Sequence, residues 1–276
     1  AIDAGFIPSQ GGLDARKILE GCVSGSVKAL LIAGENPVVS YPDQPSVKKA
    51  LESVDFLVVT ELFLTETAQL ADVVLPVCSY AEKSGTFTST DRRIQKVSPA
   101  IPAVGQSRPE FAVYAELISR LGGQAPSTQS EAFAKIPAYS GLSYDTIGED
   151  GQFVSAELKP QMIVPKTSNA VNDPGKLKLL TGAALYHCGT LSLYGEGPVA
   201  VCGEAYAEIS RADAASSNIA DGDEVKLTTA TGTLKVIARI SPRVAQGTVF
   251  VPYHFADAPV SSVLSGDVVT AVTISK

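Results

Sequence analysis

The chain has 276 residues, 45% of them apolar and 18% charged, with a formal net charge of −7. The length predicts two domains at about 100–200 residues each. The acidic balance argues against a nucleic-acid binder, which needs a basic face. No apolar run approaches the ~20 residues that span a bilayer. The opening AIDAGFIPSQGG has neither the basic start nor the long apolar core of a secretory signal. It lacks an initiator Met and reads as loop, so a piece of a longer polypeptide is expected.

Residues 13–24 place apolar side chains at near-helical spacing, and Gly25 stops the helix. KALLIA at 28–33 is a continuous apolar run, expected to be a strand buried on both faces of a parallel sheet. It enters the turn Gly34-Glu35-Asn36-Pro37. Ser46 offers an N-cap to a helix through Val54. DFLVVT at 55–60 is a second buried strand, Thr65 or Thr67 starts a short helix, and DVVLP at 72–76 is a third strand. This alternation predicts a doubly wound α/β layer with right-handed crossovers. Ligands of such sheets sit at the carboxyl ends of the strands. Those ends are Gly34-Glu35-Asn36, Thr60-Glu61 and the stretch after Pro76, and the whole of 60–95 is rich in polar residues between strong structural signals.

Pro109 opens an amphipathic helix that Gly122-Gly123 close. Residues 124–175 are rich in Gly, Ser and Pro and read as a partly helical connector. From Lys176 the pattern turns to β, with short runs at 177–181, 205–209, 224–229, 233–240 and 248–251. Asp221-Gly222-Asp223 and a hairpin turn at Thr231-Gly232-Thr233 punctuate them. A short helix is expected at 213–219. Five or six short strands in so few residues suit a closed barrel. The expected division is 1–123, an incomplete α/β domain; 124–175, the connector; and 176–276, the barrel.

The four cysteines, Cys22, Cys78, Cys188 and Cys202, form no C-x-x-C pair, and His187 and His254 stand in no metal-binding spacing. Reduced thiols and no metal site follow. Nucleophile elbows, P-loops and G-x-G-x-x-G turns are absent from the sequence. His187 and Cys188 are adjacent, but neighbours on a strand point to opposite faces. The remaining candidates bind rather than react. Gly34-Glu35-Asn36 offers backbone N–H groups and an amide. Glu61 offers a carboxylate to hydroxyl or N–H donors. Gly85-Thr86 with Arg92-Arg93 suits an anion, because a guanidinium fork matches phosphate; pairing of the arginines with Glu82, Asp91 or another subunit is the alternative. His187 with Cys188-Gly189-Thr190 forms a second polar cluster.

Three stretches, GENPVVSYPD, DFLVVTELFLTETAQLADVVLP and EKSGTFTSTDRRIQ, resemble the third domain of the molybdopterin oxidoreductase superfamily. LLTGAALYHCGTLS, RADAASSNIADGDEVKLTTATGTLKV and GTVFVPYHF resemble that family's C-terminal dinucleotide-binding domain, a double-psi β-barrel. The resemblance thus implies a partial doubly wound parallel sheet, like domain 3 of formate dehydrogenases, followed by the barrel. It covers nearly the whole chain. The family's upstream portion, with iron–sulfur cysteines and the metal-ligand region, is not in this sequence.

Two kinds of member are similar. One is the large iron–sulfur subunit of respiratory NADH-quinone oxidoreductase (complex I), whose C-terminal region normally carries no molybdenum cofactor. The other is the formate dehydrogenase catalytic subunit, which binds molybdopterin guanine dinucleotide. Formate dehydrogenases typically show Asn where this chain has Ser89, and TGR where it has Thr181-Gly182-Ala183. They favour His-Thr-Gly-Thr-x-Thr where it reads His187-Cys188-Gly189-Thr190-Leu191-Ser192. They commonly place an Asn before a Leu-Thr pair where it has Ser262. Each change removes a polar group from a pterin, at about 1–3 kcal/mol for an unsatisfied buried group. The LYHCGTLS and FVPYHF phrasing also looks more like the respiratory protein. The resemblance therefore implies a scaffold without molybdenum cofactor, in a cytoplasmic assembly peripheral on the inner membrane. Its partners would be the other subunits of a respiratory or formate-oxidising complex. Were a pterin bound, the resemblance sets it against Glu35, Asn36, Glu61, Arg92, His187, Gly189 and Thr190.

Overall fold

A computed structural model describes residues 11–154, 173, 175–187, 189–266 and 269–276. The expectations for the opening loop, for most of 161–175 and for Cys188 fall outside these residues. Asp14 starts α1 (Ala15–Ser24) by accepting the Lys17 N–H at 2.9 Å, and Gly25 ends it in the left-handed region at φ 74°. β1 (Ala29–Ala33), β2 (Phe56–Glu61) and β3 (Val73–Pro76) form a parallel sheet with β2 in the middle. Two helices, α2 (Pro37–Ser40) and α3 (Gln44–Ser53), connect β1 to β2. Asp43, rather than Ser46, caps α3: its carboxylate accepts both the N–H and the hydroxyl of Ser46. Pro45 then occupies the first turn, where no N–H is missed. The helix expected from Thr65 or Thr67 shrinks to a 3-10 turn, Ala68–Leu70, with Thr65 Oγ1 accepting the Ala68 N–H.

The apolar runs of this sheet are not buried on both faces. Leu57 and Val59 face α1 and α3 and pack with Cys22, Val47 and Leu51 in a closed core. On the opposite face Leu31, Phe56 and Val73 remain 43%, 47% and 37% exposed. Strand alternation sends these side chains away from the helices. Among the described residues, α4 (Glu110–Arg120) reaches the sheet near its carboxyl end, where Tyr114 and Thr60 share a hydrogen bond of 2.7 Å.

Residues 82–154 build a second, small sheet. β4 (Gly85–Thr88) and β5 (Arg93–Val97) form an antiparallel hairpin, and β6 (Gln152–Phe153) pairs with β5. The hairpin replaces what the sequence presents as a turn. α5 (Gln129–Ala134), capped by Thr128, covers it through a core of Ile94, Phe133, Ile147 and Val154. Gly151 closes this unit at φ 76°, where a Cβ would lie 2.5 Å from the Ile94 carbonyl.

The last hundred residues close into a barrel. Its strands are β7 (Leu177–Gly182), β8 (Tyr206–Ile209), β9 (Glu224–Thr228), β10 (Thr233–Ile240), β11 (Thr248–Pro252) and β12 (Thr270–Ser275). The order around it is β10-β8-β11-β7-β12-β9, with β7–β11 and β8–β10 parallel. The Thr231-Gly232 hairpin joins β9 and β10, with Thr228 opposite Thr233. Alternate residues Val225, Leu227, Val249, Val251 and Val272 fill the interior. Each contributes about 1.5–3 kcal/mol of burial. Two helices lie outside the strands: α6 (Glu196–Val201) and α7 (Arg211–Ser216). Asp213 of α7 accepts from the Ser210 hydroxyl and from Gly247 N–H, pinning the approach to β11. The α/β layer meets the barrel where Asp43 N–H donates to Leu264 carbonyl at 2.9 Å.

Candidate functional site

The carboxyl ends of β1 and β2 are tied to each other before any ligand is considered. Gly34 N–H donates to Thr60 carbonyl. Asn36 is 6% exposed, and its amide is engaged on both sides. Nδ2 donates to Glu66 at 2.8 Å, and Oδ1 accepts from the Thr67 N–H and hydroxyl at 3.2 and 2.7 Å. Both acceptor positions of the amide oxygen are thereby used, leaving one N–H. Glu61 turns back onto its own loop and accepts the Leu62 N–H at 2.7 Å. Glu35 is exposed.

Phe63, in the loop after β2, stacks face to face on Tyr194, with centroids 3.7 Å apart and planes within 4°. Tyr194 ends the 3-10 turn Thr190–Tyr194 that follows β7. The stack therefore joins the sheet end to the barrel, and it brings Glu61 and Glu66 to the same turn as Gly189 and Thr190. Burial raises the Tyr194 phenol above its usual range, and the carboxylates of Glu66 and Glu61 raise it further. These two carboxylates make the junction acidic.

His187 lies on the other side of that turn and is 2% exposed. Its Nδ1 is hydrogen-bonded to Ser192 Oγ, and Ser192 Oγ donates its own proton to Gly189 carbonyl. The hydroxyl proton being spent, Nδ1 must carry the hydrogen and Nε2 the lone pair. Phe255 packs edge-on against the His187 ring at 4.3 Å, and the His254 ring stands 6.5 Å away. His187 Nε2 and His254 Nδ1 are buried and have no hydrogen-bond partner among the described residues. His254 also adopts φ 78°, a left-handed backbone that costs a non-glycine residue about 1–3 kcal/mol and clusters at functional positions.

Arg92 is placed differently. It sits at the tip of the β4–β5 hairpin, exposed, with φ 67° and its N–H donating to Ser89 carbonyl. Ser89 is occupied within the same tip, donating to the Asp91 carboxylate. That bond, with the Arg93 N–H, holds Asp91 below the usual carboxylate range. Arg93 pairs with Asp91, donates to Asp150 carbonyl at 3.0 Å and lies over the Phe153 ring. Glu82 accepts from Ser79, Ser107 and Val104. The arrangement thus gathers Asn36, Glu61, His187, Gly189 and Thr190 around one turn, whereas Arg92 belongs to the other sheet. Phe63, Tyr194 and His254 are site residues that the sequence does not single out. An aromatic inside a polar loop after a strand is the available signal for the first. The left-handed backbone of His254 leaves none.

Burial pushes both imidazoles below their ordinary value; Asp257 opposes this at His187, and His187 adds to it at His254. Unfolding returns them to about 6.5, where they take up protons that the folded chain refuses. Their contribution is therefore intact above about pH 6.5 and lost as pH falls toward the depressed folded values. Urea midpoints should drop from about pH 8 to about pH 5, and a His187→Gln/His254→Gln double variant should drop less. Equal drops in both proteins would contradict the assignment.

A parallel sheet whose loops face a closed β-barrel is the architecture of a molybdopterin-type oxidoreductase lobe. Comparisons bear this out: residues 7–120 match the molybdopterin oxidoreductase family and residues 177–275 the molydopterin dinucleotide binding domain. The chain belongs to the molybdopterin oxidoreductase family. It is 35% identical over 266 residues to a large subunit of the NADH-quinone oxidoreductase of Rhizobium meliloti, covering 94% of this chain and 31% of that protein. It is 34% identical over 278 residues to the NADPH-Fe(3+) oxidoreductase subunit alpha of Geobacter sulfurreducens, covering 98% and 32%. With F420-dependent formate dehydrogenase 1 subunit alpha of Methanococcus maripaludis the identity is 35% over 262 residues, covering 84% and 39%. The chain thus spans about a third of the length of the curated relatives it matches. Acetylene hydratase from Pelobacter acetylenicus shares the fold, with a TM-score of 0.78 at 16% identity over 94% of this chain and 46% of that one. Among the described residues no helix is long and apolar enough to cross a membrane, and no three His, Cys, Asp or Glu side chains group as metal ligands.

Proposed function

We propose that this chain is the C-terminal lobe of the large subunit of an NADH-quinone oxidoreductase, a scaffold in electron transfer that carries no catalytic residue of its own. Its partners are then the other subunits of that complex, and its place is the cytoplasmic side of the membrane that holds them. The observation that carries this reading is the self-satisfied junction. Asn36 is spent on Glu66 and Thr67, Glu61 on Leu62, and Phe63 and Tyr194 on each other. A molybdopterin dinucleotide brings a pyrophosphate, and the junction offers it the carboxylates of Glu61 and Glu66. Two like charges in a half-buried site repel rather than hold such a group. These residues do not fit the pyrophosphate.

A second reading is favoured by one observation. His187 Nε2 and His254 Nδ1 are buried without partners, which suits half of a pterin cavity of the formate dehydrogenase kind. Metal analysis and pterin fluorescence of the full-length protein separate the two: the scaffold reading expects neither molybdenum nor tungsten nor pterin in stoichiometric amount.

A further inference from the structure

We infer that His187 and His254 form a subsite for a neutral, donor-rich heterocycle, with His187 Nε2 accepting a ring N–H. The inference goes beyond the scaffold reading, since a base without a pyrophosphate meets none of the repulsion from Glu61 and Glu66, and metal analysis decides that reading separately.

Three observations lead here. First, the tautomer of His187 is set by its neighbours: Ser192 gives its proton to Gly189 carbonyl, so the ring donates through Nδ1 and presents a bare lone pair at Nε2. An acceptor buried in this way needs a donor. Second, the His254 ring is its neighbour at 6.5 Å and has a buried, unpartnered nitrogen of its own. Hydrogen bonds of about 2.7–3.2 Å to each ring are the natural way to satisfy both. Third, the other groups near the two rings add acceptors or apolar walls. Asp257 acts on His187 as a negative charge, Tyr253 and Phe255 supply ring edges and faces, and Glu61 and Glu66 lie across the Thr190–Tyr194 turn. Acceptors without facing cations select a ligand rich in N–H and poor in negative charge. An aminopyrimidinone edge, as in guanine, has adjacent ring N–H and amino donors and fits that requirement; a phosphate does not.

The chain has two histidines, so their ring nitrogens can be followed individually in the 15N-labelled protein, with His254→Gln giving the assignment. Guanosine, adenosine and inorganic pyrophosphate are the probes. Free protein should show His187 as the Nδ1–H tautomer. Guanosine should move the His187 Nε2 signal while leaving Nδ1 in place, adenosine should do so more weakly, and pyrophosphate should not. Ser192 is a positioning residue here. Ser192→Ala should mix the His187 tautomers and weaken guanosine by about tenfold, and Ser192→Thr should restore both. An Nε2–H tautomer in the free protein, no response to guanosine, or an equal response to pyrophosphate each overturns the inference.

Discussion

Phe255→Ala lowers the stability of the protein by about 3–5 kcal/mol, the range for deleting a fully buried aromatic ring. Phe255 is completely buried in the barrel core, together with Val251, Val260 and Val263. Truncation leaves a cavity whose walls are strands hydrogen-bonded on both sides, so the site cannot collapse to fill it. The ring also supports His187 edge-on at 4.3 Å, and its loss frees that imidazole to turn. The chain has no tryptophan, so urea denaturation is best followed by circular dichroism. Phe255→Leu, which keeps most of the volume, should cost under about 1.5 kcal/mol. A loss below about 1 kcal/mol for the alanine variant would mean that the segment after β11 does not pack into the barrel core.

Asn36→Ala should cost about 2–3 kcal/mol, through a different mechanism. The substitution removes three hydrogen bonds at one buried point and leaves the Thr67 N–H and a Glu66 carboxylate oxygen without their partner. Thr67 Oγ1 also accepts the Val38 N–H, so the loss spreads to the start of α2. A side chain held in reserve for a ligand would behave otherwise: removing it would change stability by no more than about 0.5 kcal/mol. The same denaturation experiment therefore reports whether Asn36 is a structural tie or an open binding group. A near-neutral alanine variant would favour the cofactor-binding reading over the scaffold.

Much of the fold is legible in the sequence because its determinants are local. The β1, β2 and β3 runs, the Pro109 and Gly122 boundaries of α4 and the Thr231-Gly232 hairpin all follow from propensity and turn chemistry. Burial is less legible. KALLIA looks the same whether one face or two are covered, and the exposure of Leu31 depends on which elements the fold sets opposite it. Ser46 is a sound N-cap candidate by residue type, but Asp43 has the same chemistry three residues earlier with Pro45 behind it.

The site divides in the same way. Its residues can be found one by one, since Asn36 and Glu61 follow strands and His187 and Gly189 stand in a polar cluster. Their mutual satisfaction cannot be read, because Asn36–Thr67, Glu61–Leu62 and Phe63–Tyr194 are matters of geometry between loops. Arg92 illustrates the converse. Its neighbours in sequence suggest an anion site, whereas the hairpin of β4 and β5 carries it to an exposed tip beside Ser89 and Asp91.

On the scaffold reading, the junction between sheet and barrel is satisfied by its own side chains and holds no molybdopterin dinucleotide. Elemental analysis of the purified full-length protein, paired with fluorescence of the pterin released on acid oxidation, tests this directly. Iron without molybdenum or tungsten, and no released pterin, is the predicted result. One molybdenum or tungsten per protein with matching pterin would contradict it.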